Sequence, residues 1–268
     1  LAVLFGHRLM GFARRHCSLN ESQYGSMNGK QAQLAVLNKI VTYDYFRLTK
    51  ENAATAEFDA AANYDRILPA LVVIACRQLG LGKQAGDLLF DSLTNLKHRI
   101  RTTYRITKEY CSTLEHTLFG TGQGSSGSPT FWALIAEALF NSMDANIHRL
   151  VLSNPNGSNV SRRNEDGYVD DTSLGVDGRD NNVVGCPTTV AQRHETTLFA
   201  TGGKLALHKC TCVMINWVWT DGLDCLGGSP LNETDTELKL TQSEDGTQQV
   251  ITNLHPSRAY RTLGVWIA

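Results

Sequence analysis

Long hydrophobic runs are missing from this chain of 268 residues. The longest apolar stretch, Leu68 to Cys76, is interrupted by Pro69 and is far too short to span a bilayer, so no membrane partner is expected. The opening LAVLFGHRLMGF has no basic segment ahead of its apolar one and makes a poor secretory leader. Charge of one sign is missing too. The net charge of -1 argues weakly against a nucleic-acid protein, whose domains are often basic overall. The seven cysteines show no pairing pattern, being odd in number and scattered. That usage suits a reducing, intracellular compartment and does not separate nucleus from cytoplasm. Cys210 and Cys212 form a lone C-x-C; a zinc site would need two more ligands, and only His208 is near, so both read as structural thiols. The sequons at Asn20, Asn156, Asn159 and Asn232 read as chance matches without a leader. Internal repeats and long low-complexity segments are also absent. The chain begins on Leu1 and stops on the apolar run Leu263 to Ala268, which gives the expectation of a piece cut from a longer polyprotein.

What is present is ordinary globular material. Hydrophobic residues at 42% and charged residues at 19% allow a sizeable core, in one large domain or two small ones. Helical spacing of Leu34, Leu37, Val41 and Tyr45 predicts a helix over Gln31 to Tyr45. Ala54 to Phe58 reads as a strand. Ile67 to Leu79 and Lys83 to Lys97 read as helices, separated by Gly80 and Gly82. Arg101 to Leu118, rich in Thr and Tyr, reads as extended. Pro129 to Arg149 carries one apolar stripe behind a capping Ser128. Asn154 to Asp166 reads as a surface loop and Gly167 to Val176 as a hairpin. Asn181 to Gly185 reads as a further loop, and Thr188 to Ala200 as a helix stopped by Gly202 and Gly203. The remainder is strand-like, with loops at Gly227 to Thr236 and Ser243 to Thr247. Strands and helices intermingle without a steady βαβ rhythm, which predicts an α+β fold.

Three carboxylates carry the chemistry. Asp59 ends a strand-like segment in AEFDAAANYDR, and Asp170 and Asp171 are adjacent at a hairpin tip in GYVDDTSL. Adjacent like charges repel unless a cation compensates, and hard divalent ions take carboxylate oxygens. Singly, each segment has a plainer reading: a solvated hairpin loop, or a strand followed by a helix that Asp59 caps. GTGQGSSGSP, Gly120 to Pro129, lies between them. It lacks the Gly-Lys-Ser/Thr ending of a phosphate loop, and its glycines let the backbone approach a flat partner closely. The run KHRIRTTYRITK gathers Lys97, Arg99, Arg101, Arg105 and Lys108 around Tyr104. In isolation it is a solvated face; beside a polymerase site, phosphate contact is the better reading.

The ordered set resembles the reverse transcriptases. AEFDAAANYDR looks like their first catalytic motif, QGSSGSP their second and YVDD their third. GGKLALHKC, Gly202 to Cys210, is similar to the fourth, and YRTLGVWI, Tyr260 to Ile267, to the fifth, the primer grip. QYGSMNGKQA resembles a fingers motif, so the likeness covers nearly the whole chain, and its wording is most like eukaryotic retrotransposon polyproteins. The resemblance implies a right-hand polymerase palm with an antiparallel sheet and packed helices. Residues 1–53 would be partial fingers and 54–268 the palm, with an intervening fingers segment near 83–118. The thumb would be absent, as would nuclease and integrase segments. It implies an RNA-directed DNA polymerase, a nucleotidyltransferase extending a primer on an RNA or DNA template with deoxynucleoside triphosphates. The alternative is an inactive or domesticated fragment that only binds nucleic acid. Asp59, Asp170 and Asp171 would hold two magnesium ions, or manganese in their place. Lys209 would be the general acid toward pyrophosphate, or else a plain surface lysine. Ala60, Tyr64, Gln123, Gly124 and Lys30 would meet the nucleotide, with Tyr64 the gate against a ribose 2′-hydroxyl. Tyr168, Leu263, Gly264, Arg99 and Arg101 would contact primer or template. One departure is Met27, where the family often has an arginine.

Overall fold

A computed structural model describes residues 2–16, 19–27, 29–111, 113, 120–122, 125–145, 149–163, 165–177, 185–220, 223–226, 237–255, 259–262 and 265–267. In chain order the elements begin with α1 (Ala2–Arg15), α2 (Ala32–Thr49), β1 (Ala53–Asp59), α3 (Asn63–Arg66), α4 (Pro69–Gln78) and α5 (Lys83–Thr94). Next come β2 (Lys97–His98), β3 (Tyr110–Cys111), α6 (Ser128–Asp144), β4 (Leu150–Ser153), β5 (Val160–Arg163), β6 (Glu165–Tyr168) and β7 (Asp171–Asp177). The rest are α7 (Gly185–Ala200), β8 (Thr211–Ile215), β9 (Trp217–Thr220), β10 (Leu223–Leu226), β11 (Leu238–Thr241), β12 (Gln248–Leu254), β13 (Tyr260–Thr262) and β14 (Val265–Ile267). The class is α+β, as the patterning predicts.

The chain divides into two compact units. The first takes Leu1–Leu19, Ala62–Ile135 and Thr201–Gly203; the second takes Asn20–Ala61, Ala136–Ala200 and Lys204–Ala268. In the first, α4 opens on Pro69 and closes where the Leu79 N–H donates to the Ala75 and Arg77 carbonyls. Gly80, at φ +92°, then turns the chain in a region that favours glycine. α5 packs on α4 through Gly86, against which Val73 and Arg77 lie closely. It stops at Thr94, short of the Lys97 expected, because Asn95 donates its N–H to the Asp91 carbonyl and Lys97 opens β2. Arg101 to Leu118 is not extended throughout: 102–105 form a turn, and 112 and 114–118 lie outside the described residues. Ser128 does not act as the expected cap. Its hydroxyl donates to the Thr121 and Gly122 carbonyls, 3.0 Å each.

The second unit is built on one sheet in the order β11-β12-β8-β1-β7-β6. The pairing is antiparallel except between β12 and β8, which run parallel. Sidedness follows from the two-residue period of β1. Phe58 stacks on His194 of α7, ring centroids 5.1 Å apart, so Ala54, Ala56 and Phe58 face that helix. The other face meets α2: Tyr43 shares a hydrogen bond with Thr55 at 2.7 Å, and Lys39 pairs with Glu57. Phe46, Ala53, Val213 and Ile215 form the core under α2, joined by Leu150 from β4. That role ends α6 before the predicted Arg149, because Leu150 fills the space over Gly175. β5 lies within the segment expected to be a loop. It pairs with β4 from Leu150↔Arg163 to Ser153↔Val160, and its VSRR sequence has no apolar alternation to announce a strand. α7 begins at Gly185, three residues earlier than expected, and stops at Ala200 before Gly202 at φ +91°. The loop expected over 227–236 and most of that over 181–185 lie outside the described residues. No helix among the described residues is long and apolar enough to cross a membrane.

The residues whose spacing signals α2 are not the ones it buries. Leu34, Leu37 and Val41 are exposed, while Ala35, Val36, Lys39, Thr42 and Phe46 are buried. Phe46→Ala should therefore cost about 3–5 kcal/mol, as for a buried aromatic. Val41→Ala should cost under about 0.5 kcal/mol. Urea denaturation of the two variants checks this; equal losses would mean the exposed stripe is the packed face.

Candidate active site

Two distant segments bring the carboxylates together. β1 and β7 pair with Asp59 opposite Asp171 at the end of their ladder. Such cross-strand partners stand about 4.5–5.5 Å apart at Cα. Asp170 lies in the two-residue connection between Tyr168 and Asp171, which are themselves partners in the β6–β7 ladder. Val169, first in that connection, has φ +61°. A positive φ at the first central residue alone is the pattern of a type II′ turn, where glycine is usual. A β-branched side chain there costs about 1–3 kcal/mol and persists only where the surroundings hold it.

The surroundings do hold it. The Ala60 N–H donates to the Asp170 carbonyl at 3.1 Å. From the other side Gln23 bridges to Gly167, the Tyr24 N–H donates to the Gly167 carbonyl at 2.8 Å, and the Gly167 N–H donates to the Ser22 carbonyl at 2.9 Å. Gly25 then lies so close to the turn that an added Cβ would sit 2.5 Å from the Val169 nitrogen. Asn20 anchors this segment on α6, donating its backbone N–H to Glu137 at 2.5 Å and its amide to Asp144 at 2.6 Å.

Residues 204–209 complete the group. The Ala61 N–H donates to the Lys204 carbonyl at 2.7 Å and the Ala206 N–H to the Asp59 carbonyl at 2.8 Å. A single 3-10 turn, Leu207–Lys209, then aims the Lys209 ammonium at Asp59, 3.2 and 3.3 Å from its two carboxylate oxygens. Partial burial, and then the Asp59 charge, raise the Asp170 carboxyl above the usual carboxylate range. Burial, then Asp170 and Asp59, push the Asp171 carboxyl up to about 6.

Two residues along the same face lies a group that the sequence reading missed. Glu57 is on β1 and its cross-strand partner Ser173 on β7. The Ser173 hydroxyl donates to Glu57 at 2.8 Å, and Lys39, only 5% exposed, pairs with the other carboxylate oxygen. The period of two from Asp59 points to Glu57. Nothing in the spacing of α2 points to its lysine. A buried His194–Glu165 pair, 3.1 Å apart, ties α7 to β6 on the opposite face.

The other expected residues are placed as follows. Ala60 bridges to Leu205 beside the carboxylates, and Tyr168 opens the turn. The Lys30 ammonium reaches the Glu21 carbonyl and lies 4.9 Å from the Tyr24 ring centre. In the first unit, Tyr64 sits on α3, its carbonyl accepting from the Thr121 N–H at 2.8 Å, so it is in contact with the start of the glycine-rich loop. Arg99 pairs with Glu109 at 2.5 Å, while Arg101 bridges to Ile106 in the β2–β3 hairpin. Gln123, Gly124, Leu263 and Gly264 lie outside the described residues. Cys210 and Cys212 are buried free thiols, raised by burial to about 11 and about 12.

No protein-family profile and no curated protein matches the sequence. Solved structures that resemble the chain include telomerases. Apo telomerase from Candida tropicalis, truncated from its C-terminal domain, has a TM-score of 0.48 at 14% identity, over 84% of this chain and 43% of that one. Telomerase from Candida albicans, in complex with a TWJ fragment of telomeric RNA, has a TM-score of 0.45 at 14% identity, over 82% of this chain and 36% of that one. This chain thus spans less than half the length of either, and likenesses this distant define no family.

The donor set suits a hard divalent cation: all oxygen, all carboxylate, and within reach of one another's charge. As the side chains stand, no three His, Cys, Asp or Glu groups among the described residues are gathered closely enough to share an ion, and Asp59 is engaged by Lys209. The raised Asp171 has a consequence for stability. The folded chain holds that proton more tightly than the unfolded chain, whose aspartates titrate near 3.8. Stability therefore falls as pH rises between 3.8 and about 6, and the penalty is fully present above that window. Asp171→Asn should raise the Tm at neutral pH in divalent-free buffer and leave it unchanged well below the window. Thermal denaturation across pH reads this; a Tm difference independent of pH would mean that Asp171 carries no such penalty.

Proposed function

We propose that the chain is the palm and partial fingers of an RNA-directed DNA polymerase, a nucleotidyltransferase from a eukaryotic retrotransposon polyprotein. The observation that carries the reading is the meeting of Asp59 and Asp171 as register partners, with Asp170 in the turn between β6 and β7 and the Lys209 ammonium on Asp59. Segments more than a hundred residues apart supply these groups, and they are the residues that the reverse-transcriptase resemblance picks out.

Asp59, Asp170 and Asp171 would hold two magnesium ions, with manganese the other ion that the donors accept. When bound, such a pair supplies acidification of the primer 3′-hydroxyl and neutralisation of the triphosphate. The chain's own residues do the rest. Lys209 carries a proton beside Asp59 and hands it to the leaving pyrophosphate, so that the product departs with less charge. Tyr64 is the residue that the resemblance makes the gate against a ribose 2′-hydroxyl, favouring deoxynucleotides, and Ala60, Lys30, Gln123 and Gly124 are those it assigns to the incoming nucleotide. Arg99, Arg101 and Tyr168 bear on template and primer, and Leu263 and Gly264 form the primer grip. The substrates are a primer on an RNA or DNA template and deoxynucleoside triphosphates, inside the cell, and the rest of the polyprotein supplies the thumb.

Primer extension tests the reading. Asp170→Ala should abolish extension, a loss of several kcal/mol of transition-state stabilisation, while leaving template binding intact. Extension at the parent rate by that variant would overturn the assignment of the carboxylates. Tyr64→Ala should begin to incorporate ribonucleotides; unchanged discrimination would remove Tyr64 from the gate.

A further inference from the structure

The β2–β3 hairpin of the first unit is built unlike a plain solvated loop. Its tip is fixed by its own hydrogen bonds. The Thr102 N–H donates to the Arg105 carbonyl at 2.9 Å, and the Thr102 hydroxyl accepts from the N–H groups of Tyr104 and Arg105. Farther down, Ile100 and Thr107 exchange two bonds of 2.9 Å, and at the base the His98 and Tyr110 rings stack with centroids 5.4 Å apart. On this rigid tip Tyr104 is 95% exposed, and its ring and hydroxyl meet no partner among the described residues. Holding a large aromatic ring in water on an ordered turn leaves both of its faces open to a flat ligand.

Charge surrounds the ring. Between Lys97 and Cys111 stand five basic residues and one acidic residue, in a chain whose net charge is -1. Glu109 engages Lys97 and Arg99. Arg101, Arg105 and Lys108 have no ion-pair partner among the described residues. An open aromatic face flanked by unpaired guanidinium and ammonium groups matches the chemistry of an unpaired base between two phosphates. Ile100 and Ile106 are exposed beside the ring, at 53% and 58%, but two side chains make a narrower apolar stripe than a membrane surface calls for, and an acidic peptide offers no flat partner for the ring.

We propose that this hairpin is a contact for single-stranded nucleic acid, in which Tyr104 stacks on an unpaired base while Arg101, Arg105 and Lys108 engage the flanking phosphates. The inference deepens the polymerase reading and rests on it for naming that strand the template.

Fluorescence anisotropy of the full chain with labelled single-stranded oligo-deoxythymidine or oligo-uridine, and with a blunt duplex of the same length, provides the test. Tyr104→Ala should weaken single-strand binding about tenfold, with the duplex little affected, while Tyr104→Trp restores it. The salt dependence should stay unchanged in Tyr104→Ala. In the double variant Arg101→Ala/Arg105→Ala it should become shallower by about 0.7 for each phosphate the chain no longer neutralises. The Tyr104 side chain meets no partner among the described residues, so its removal should leave folding intact. Equal single-strand affinity of Tyr104→Ala and parent, no single-strand binding by the parent at low salt, or a Tyr104-dependent affinity confined to anionic vesicles would each overturn the hairpin proposal. Its failure is separable from that of the polymerase reading. A parent that never extends a primer, with Tyr104→Ala still weakening strand binding, sinks the catalysis and keeps the hairpin; normal extension with indifferent Tyr104→Ala binding does the reverse.

Discussion

Mutual repulsion among three carboxylates is the constraint around which the second unit is arranged. The β1–β7 register puts Asp59 against Asp171, and the tight connection leaves Asp170 no room to withdraw. Burial first, and then the neighbouring like charges, raise the affinity of Asp170 and Asp171 for protons. One cation answers directly, the Lys209 ammonium on Asp59. A second, Lys39, pairs two residues along the same face with Glu57 and offsets the charge that this fourth carboxylate adds at Asp171. The balance is left incomplete, and the chain holds the unmet negative charge at a cost in stability; on the polymerase reading that charge is what would receive a divalent cation.

That cost requires stiff support, and the support comes from both sides of the sheet. α7 stacks His194 on Phe58, and α2 closes over Ala53 and Thr55. β1 is rich in alanine, a poor strand former, yet it is the strand with neighbours on either edge in which Ala53, Ala54 and Ala56 are all buried. Burial between two helices outweighs intrinsic propensity at such a position. The small side chains let both helices come close, which keeps Asp59 at the end of a strand with little freedom to shift.

Much of this was legible in the chain. The β1 strand, the hairpin carrying Asp170 and Asp171, and the helices around Val36, Val72 and Leu134 each announce themselves through periodicity or turn chemistry. What was not legible has physical reasons. β5 hides because VSRR presents no apolar face. The facing of α2 inverts because Lys39 and Thr42, polar by composition, are buried by partners that no local pattern reveals. The Asn20–Gly25 segment carries no strand pattern, yet it runs beside β6 as an added edge, through backbone bonds that leave no side-chain signature. At the site itself the carboxylates could be picked from the sequence, whereas Glu57, Ser173 and Gly25 needed the register.

Several departures from local rules fall together at the site, although others, such as Lys50 and Ala62 at positive φ and the buried Glu165, lie elsewhere. A β-branched residue at φ +61°, two raised carboxyls, a glycine pressed against a backbone nitrogen and an Asn20 clamp on two acids of α6 all bear on one turn of two residues. Their concentration at Val169 and Asp170 means that the rest of the unit over-determines this turn, and a chain under no demand at that point would substitute glycine for Val169 and a neutral residue for one aspartate, with a gain in stability from each. On the polymerase reading the retained strain and the retained charge would serve one purpose, that of keeping three carboxylates where a cation could be received.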